Sequence, residues 1–134
     1  NGVILRLVED TWLPISSGVT ATLRGIHCSS ASWHTAVGAG GTVTEWNFFR
    51  WAPDPGPSAQ DLYDVWQPAN NVIWTVGAGG QIAFSDGFKW TTVTPTTSRF
   101  TSIRGRNQGY IVAVGDARSP SIRTSILVPP ARIS

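Results

Sequence analysis

The chain has 134 residues, 41% hydrophobic and 13% charged, with a net charge of +2, a balance that suits one domain with a real core and excludes a disordered chain. No apolar run approaches the ~20 residues that a helical membrane span needs. Cys28 is the only cysteine, which excludes an intrachain disulfide, argues against a cysteine-based zinc site, and leaves the expectation of a small buried hydrophobe.

The predicted elements begin partway through a pattern. Gly2 to Leu7 reads as a strand and Thr11 to Pro14 as the next. Leu23 to Cys28 follows, then Trp33 to Val37, Thr42 to Trp46, and a strand centred on Arg50-Trp51-Ala52. The same order returns as Leu62 to Gln67, Val72 to Val76, Gln81 to Phe84 and Lys89 to Val93. A third round opens with Phe100 to Gly105 and Tyr110 to Val114, and Ser121 to Ser125 reads as a weak continuation. The strand candidates are rich in β-branched and aromatic residues, which suit a packed, pleated surface. Gly, Pro, Ser and Thr interrupt every helical pattern before three turns, so no helix is expected.

Glycine and aspartate punctuate the strands. Gly38 to Gly41 and Gly77 to Gly80 are expected to form tight hairpin turns, since positive φ is cheap only for glycine. Asp86-Gly87 is a strong hairpin signal. Asn47 sits near the matching place one round earlier and tolerates the left-handed region, although no Asp-Gly turn stands there. The run from Pro53 to Gln60 holds prolines that forbid helix and oppose pairing, so a stiff surface loop is expected.

This is an internal repeat. Trp12, Trp51 and Trp90 are spaced 39 and 39, as are Gly2, Gly41 and Gly80. Leu23, Leu62 and Phe100 are spaced 39 and 38, and so are Ile26, Val65 and Ile103. One deletion after Trp90 aligns all four columns. Four short strands in a unit of this length point to sheets arranged radially around an axis, a β-propeller. The reading is all-β: a half blade at 2–15, blades at 22–53 and 61–93, and a partial blade at 99–128. That makes about three four-stranded antiparallel blades, fewer than the roughly 4–8 that close a ring, so the propeller is incomplete as one chain. The expected partners are further blades, from a longer protein or another chain. A half blade at each end would join to give about three blades per chain, and two chains about six. Methionine is absent, so the chain is expected to be a processed or trimmed product or a piece of something longer.

The pattern Leu62-Tyr63-Asp64-Val65, then Val72 to Ile82, then Asp86-Gly87-Phe88-Lys89-Trp90 resembles the propeller repeats of the photosystem II assembly factor type. It is also similar to the Trp-Ala-Val-Gly repeats of bacterial surface and secreted proteins. The resemblance covers about residues 2 to 115. It implies that the first strand of each unit lines a central channel and that Trp12, Trp51 and Trp90 clamp the outer edge of each blade on its neighbour. Asp86 to Trp90 also looks like a shortened Asp-box of sialidase-type propellers.

Catalytic chemistry finds little support. A Ser/His/Asp set needs three groups converging, and only His27 and His34 could act as base. Two histidines seven apart with scattered carboxylates match no tight metal spacing, so no metal and no cofactor is expected. A sialidase-like site would draw on Arg24, Tyr63 and Arg104. The glycine runs lack the helix and the Lys-Ser/Thr of a phosphate loop. Residues 1–93 carry four cations against seven anions, net −3, and residues 94–134 six against one, net +5. That basic end could meet an acidic partner. Nucleic acid, resting on these arginines with Phe100 and Tyr110, is not favoured.

The expectation is therefore a non-enzymatic scaffold for protein–protein interaction or assembly, with a lectin-like carbohydrate-binding propeller as the alternative. Candidate contact residues are Asp54, Arg104, Arg106 and Arg118. Gly38, Gly41, Gly77, Gly80, Asp86, Gly87 and the three tryptophans are expected to be structural. The one cysteine and the missing methionine are compatible with an extracytoplasmic, oxidising compartment.

Overall fold

A computed structural model describes residues 2–116. The strands are β1 (Val3–Val8), β2 (Thr11–Ser16), β3 (Leu23–Ser30), β4 (Trp33–Gly38), β5 (Val43–Trp46), β6 (Trp51–Asp54), β7 (Leu62–Ala69), β8 (Val72–Gly77), β9 (Ile82–Ser85), β10 (Trp90–Val93), β11 (Phe100–Asn107) and β12 (Tyr110–Gly115). They form four antiparallel sheets in chain order: β1-β2, β3-β4-β5-β6, β7-β8-β9-β10 and β11-β12. The fold is all-β, without a closed barrel, and no α-helix occurs among the described residues. No helix there is long and apolar enough to cross a membrane. The weak strand expected at Ser121 to Ser125 lies outside the described residues.

The first strand of each unit runs two residues further than its apolar pattern suggested. Register shifts between Leu23 and Gly25 and between Cys28 and Ser30 keep it in step with β4, and β7 and β11 repeat the device. The other strand boundaries move by a residue or two, as strand ends commonly do.

The turn between the second and third strands is a tight hairpin as expected, closing Val37 on Val43 and Val76 on Ile82 with positive φ at Gly40, Gly41, Gly79 and Gly80. Ala39–Gly41 and Ala78–Gly80 are single 3-10 turns. Gly41 and Gly80 take φ of +77° and +76°, and a Cβ there would stand 1.7 Å from the carbonyl oxygens of Ser58 and Thr96. Gly38, Gly77 and Gly115 are needed for a different reason, because their backbone is extended. A Cβ at each would sit about 2 Å from the carbonyl oxygen of Thr22, Asp61 or Arg99. Those carbonyls accept from the N–H of Ala39, Ala78 and Asp116, each at 2.9 Å. The Val-Gly pair therefore marks where the first strand's entry is tied to the second strand's exit.

The next turn also repeats. Asp86 Oδ1 accepts from the N–H of Phe88 and Lys89 at 2.9 and 3.1 Å. Asn47 Oδ1 accepts from Phe49 and Arg50 at 3.3 and 3.2 Å. Asn47 thus supplies the same side-chain cap as Asp86, and it is Phe48, at φ +80°, that takes the left-handed conformation expected of Asn47.

The core lies between sheets. Ile4 packs with Ala36 and Trp51, joined by Ile15 and Trp46. Val37 and Val43 pack against Leu62, Val65 and Ile73, with Trp90 on the cluster's edge. Trp66, Val72, Trp74, Val76 and Phe84 enclose Ile103, with Ile111 and Ala113 alongside. Fully burying one such side chain contributes about 1.5–3 kcal/mol. Polar groups in these seams are satisfied in turn. Thr35 Oγ1 donates to Gln67 Oε1 at 2.9 Å, and Gln67 Nε2 donates to the Asn70 carbonyl at 3.0 Å. First strands β3, β7 and β11 pack side by side, while β6 and β10 lie at the opposite edge of their sheets.

Candidate functional site

Repeat-equivalent residues have very different exposure at the ends of the array. Val65 and Ile103, on β7 and β11, are 0% and 1% exposed, but Ile26 on β3 is 51% exposed. Trp51 is 5% exposed and Trp90 half-buried, whereas Trp12 is 62% exposed. Trp74 and Val76 on β8 are buried, but Val112 and Val114 on β12 are exposed. In each case the interior copies pack against strands of a neighbouring sheet that have no counterpart at the end copy among the described residues.

The first sheet holds only the third and fourth strands of a unit, β1 and β2. Beside the edge of β1 that no described strand pairs runs a groove of about 620 Å³, floored by Ile26, Cys28, His34, Trp46 and Trp51. A smaller hollow of about 270 Å³ continues along β1 past Leu23, Gly25 and Ala36. Cys28 is exposed here rather than buried as expected. Its equivalent, Gln67, is buried because Thr35 of the preceding sheet covers it, and Cys28 has no described strand on that side. His34 stacks on Trp46 and leans on Trp51, with centroids 6.3 and 6.0 Å apart, and its Nδ1 has no hydrogen-bond partner among the described residues.

Among the described residues the last sheet holds first and second strands only, β11 and β12. Its outer face carries Tyr110, Val112 and Val114, all exposed. Among the described residues no strand pairs with the second edge of β12.

The candidate contact residues fall elsewhere. Asp54 ends β6 in the seam between the two four-stranded sheets, where Oδ1 accepts from Trp90 Nε1 at 2.9 Å and from the Gly56 N–H at 2.8 Å. Beside it Glu45 is half-buried. Burial, then the hydrogen bond and like charge of Asp54, push its carboxyl from 4.5 up to about 8. Arg104 Nη1 donates to Asp64 Oδ2 at 2.9 Å across the seam between β7 and β11, with its side chain more than half exposed. The same Asp64 oxygen accepts from the Ile103 N–H at 2.9 Å and from Ser102 Oγ at 3.1 Å. Arg106 is exposed on β11, and Arg118 lies outside the described residues.

Of the set Arg24, Tyr63 and Arg104, only the first two meet. Arg24 and Arg99 each place a guanidinium 5.2 Å from the Tyr63 ring, and Arg99 pairs with Asp116 at 3.3 Å. His27 accepts at Nδ1 from the Gln67 N–H at 2.9 Å. Burial, then the charge of Arg104, holds its pKa below the ordinary histidine value. No group of three or more His, Cys, Asp or Glu converges as metal ligands among the described residues. No protein-family model, no curated protein and no solved structure matches this chain.

Proposed function

We propose that the chain is a segment of a β-propeller that acts as a non-catalytic scaffold for protein–protein assembly, its ring completed by further blades. The observation that carries this reading is the seam chemistry. The same repeat columns meet at successive sheet junctions, first strand beside first strand, and among the described residues the two end sheets leave that apolar surface exposed. Uncovered sheet faces and unpaired edges are surfaces that take up other strands. The reading agrees with the resemblance to assembly-factor and Trp-Ala-Val-Gly repeats.

The rival is a lectin-like propeller, for which the groove lined by Trp46, Trp51 and His34 is the natural seat. Its position argues for the scaffold, because the groove occupies the place that first and second strands hold in the neighbouring units. A glycan array and backbone hydrogen exchange on the purified chain separate the two readings. The scaffold reading predicts no sugar retention, with slow exchange along Val3–Val8 and Tyr110–Gly115 when those edges are occupied. Saturable sugar binding abolished by Trp46→Ala would overturn it.

A further inference from the structure

We propose that the rim carrying the turns Asn47–Arg50 and Asp86–Lys89 docks on a lipid bilayer. Phe49 and Phe88 enter the boundary between headgroups and acyl chains, and Arg50 and Lys89 meet the lipid phosphates. The inference goes beyond the scaffold reading and stands on the two complete four-stranded sheets.

Phe49 and Phe88 are repeat equivalents, 39 residues apart, on the turn between third and fourth strands. They are 88% and 98% exposed. The sheet of Phe49 packs against a described sheet on each side, and both of those carry third and fourth strands of their own, β1–β2 and β9–β10. The exposure of Phe49 is therefore a property of the turn and not of a place at the end of the array. Nor does the fold need the ring. The first copy of the turn, Val8 to Thr11, closes with Val8 opposite Thr11 and holds Asp10 in the same column.

The two tips share one rim. Gly25 abuts Asp64, His27 Nδ1 accepts from the Gln67 N–H, and Ser29 Oγ donates to Asn70 Oδ1, so β3 and β7 run side by side in the same direction. Strands are antiparallel within each sheet, which puts the turns after β3, β5, β7 and β9 at that end and the 3-10 turns at the other.

The turns are prepared to lose water. Asp86 Oδ1 takes the N–H of Phe88 and of Lys89, Ser85 Oγ that of Gly87 at 3.1 Å, and the Lys89 carbonyl that of Asp86 at 3.4 Å. All four donors of this tip are satisfied from within. Asn47 Oδ1 does the same for Phe49 and Arg50, and the Asn47 N–H donates to the Arg50 carbonyl at 3.1 Å. An apolar phase admits backbone when its polar groups are paired in this way. Phe48 is drawn aside, edge-on to Trp33 at 5.7 Å, which leaves Phe49 as the projecting ring.

An exposed cation follows each ring, Arg50 or Lys89, and neither forms an ion pair among the described residues. The two turns carry these cations against one carboxylate, Asp86, which the amides hold. An aromatic ring beside a cation suits the interface, the ring below the headgroups and the charge among their phosphates. A protein partner fits less well. Hot-spot rings cluster in one desolvated patch. Phe49 and Phe88 stand on separate sheets, and neither pairs with another ring among the described residues.

The test sediments the purified full chain with phosphatidylcholine vesicles containing about one quarter phosphatidylglycerol. The chain is expected to be retained. Phe49→Ser and Phe88→Ser should each weaken retention about tenfold, and the double variant about a hundredfold. Their β-sheet circular dichroism should stay unchanged, because both rings are exposed. Arg50→Gln with Lys89→Gln should weaken retention about tenfold and flatten its salt dependence. In a Cys28→Ser background, a bimane label at Phe88→Cys should shift to the blue on vesicles, and one at Ala59→Cys, in the loop at the opposite rim, should not. Absence of retention overturns the proposal. Retention that both phenylalanine variants leave unchanged overturns it too, as does a blue shift at Ala59→Cys alone. A chain that ignores vesicles but saturably binds a protein through Phe49 and Phe88 assigns the tips to a protein partner and likewise overturns it. The scaffold reading stands on the sheet seams and survives each of these results.

Discussion

Replacing Glu45 with Gln should make the fold less sensitive to alkaline pH. The Glu45 carboxyl sits half-buried on β5 beside Asp54, and its pKa rises from 4.5 to about 8. Between those values the folded chain keeps a proton that the unfolded chain has released, so stability falls as pH rises through that window. The contribution is fully present below pH 4.5 and gone above about 8. Taken whole, the displacement corresponds to about 5 kcal/mol. Glu45 is only half-buried, and solvent screening reduces this to about 2 kcal/mol. Gln keeps the shape of the protonated acid, offers Asp54 an amide N–H donor in place of the acid's O–H, and cannot ionise. Urea unfolding at fixed protein concentration should show the two proteins alike at pH 4. At pH 9 the midpoint of Glu45→Gln should lie about 1 M higher, for a slope of ~2 kcal/mol/M. Parallel pH profiles would refute the argument, and so would a wild-type protein that gains stability between pH 5 and 8.

Three further outcomes follow from the seams and turns. Asp64→Ala strands the Ile103 N–H, which lies in a buried residue, and should cost about 2 kcal/mol by chemical denaturation, whereas Arg104→Ala removes a half-exposed partner and should cost under about 1 kcal/mol. Gly41→Ala drives a Cβ to 1.7 Å from the Ser58 carbonyl at positive φ and should cost at least about 3 kcal/mol, while Gly40→Ala meets open space and should cost only the left-handed backbone term of about 1 kcal/mol. Gly105→Ala places a Cβ 2.4 Å from the Trp66 ring, and thermal unfolding should show a loss of about 1–3 kcal/mol from overpacking.

Much of the fold was legible because the repeat columns report packing. Val65 and Ile103 share a spacing since each meets a neighbouring sheet through the same face, Ile26 stands in the same column without that cover, and the strands and their order follow from the column. The turns were less legible. Gly38 and Gly77 look like turn glycines in sequence, but their backbone is extended and their lack of a Cβ admits a carbonyl. Asn47 carries no Asp-Gly signal, yet its side chain makes the same two bonds as Asp86. The end surfaces were foreseen as unsatisfied, but not the groove. It exists only where β3 and β4 lack the neighbours that their equivalents have, and spacing shows columns rather than vacancies. The placing of Asp54 under Trp90 depended on cross-sheet register, since the two are 36 residues apart and meet through strands of different sheets.

A crystal structure of the purified chain tests the central claim most directly. Sheets arranged around one axis, with Ile26 covered by a further sheet, are the predicted result. Sheets stacked in a line with no common axis, or a β1 edge left open to solvent while Trp12 packs elsewhere, would contradict it.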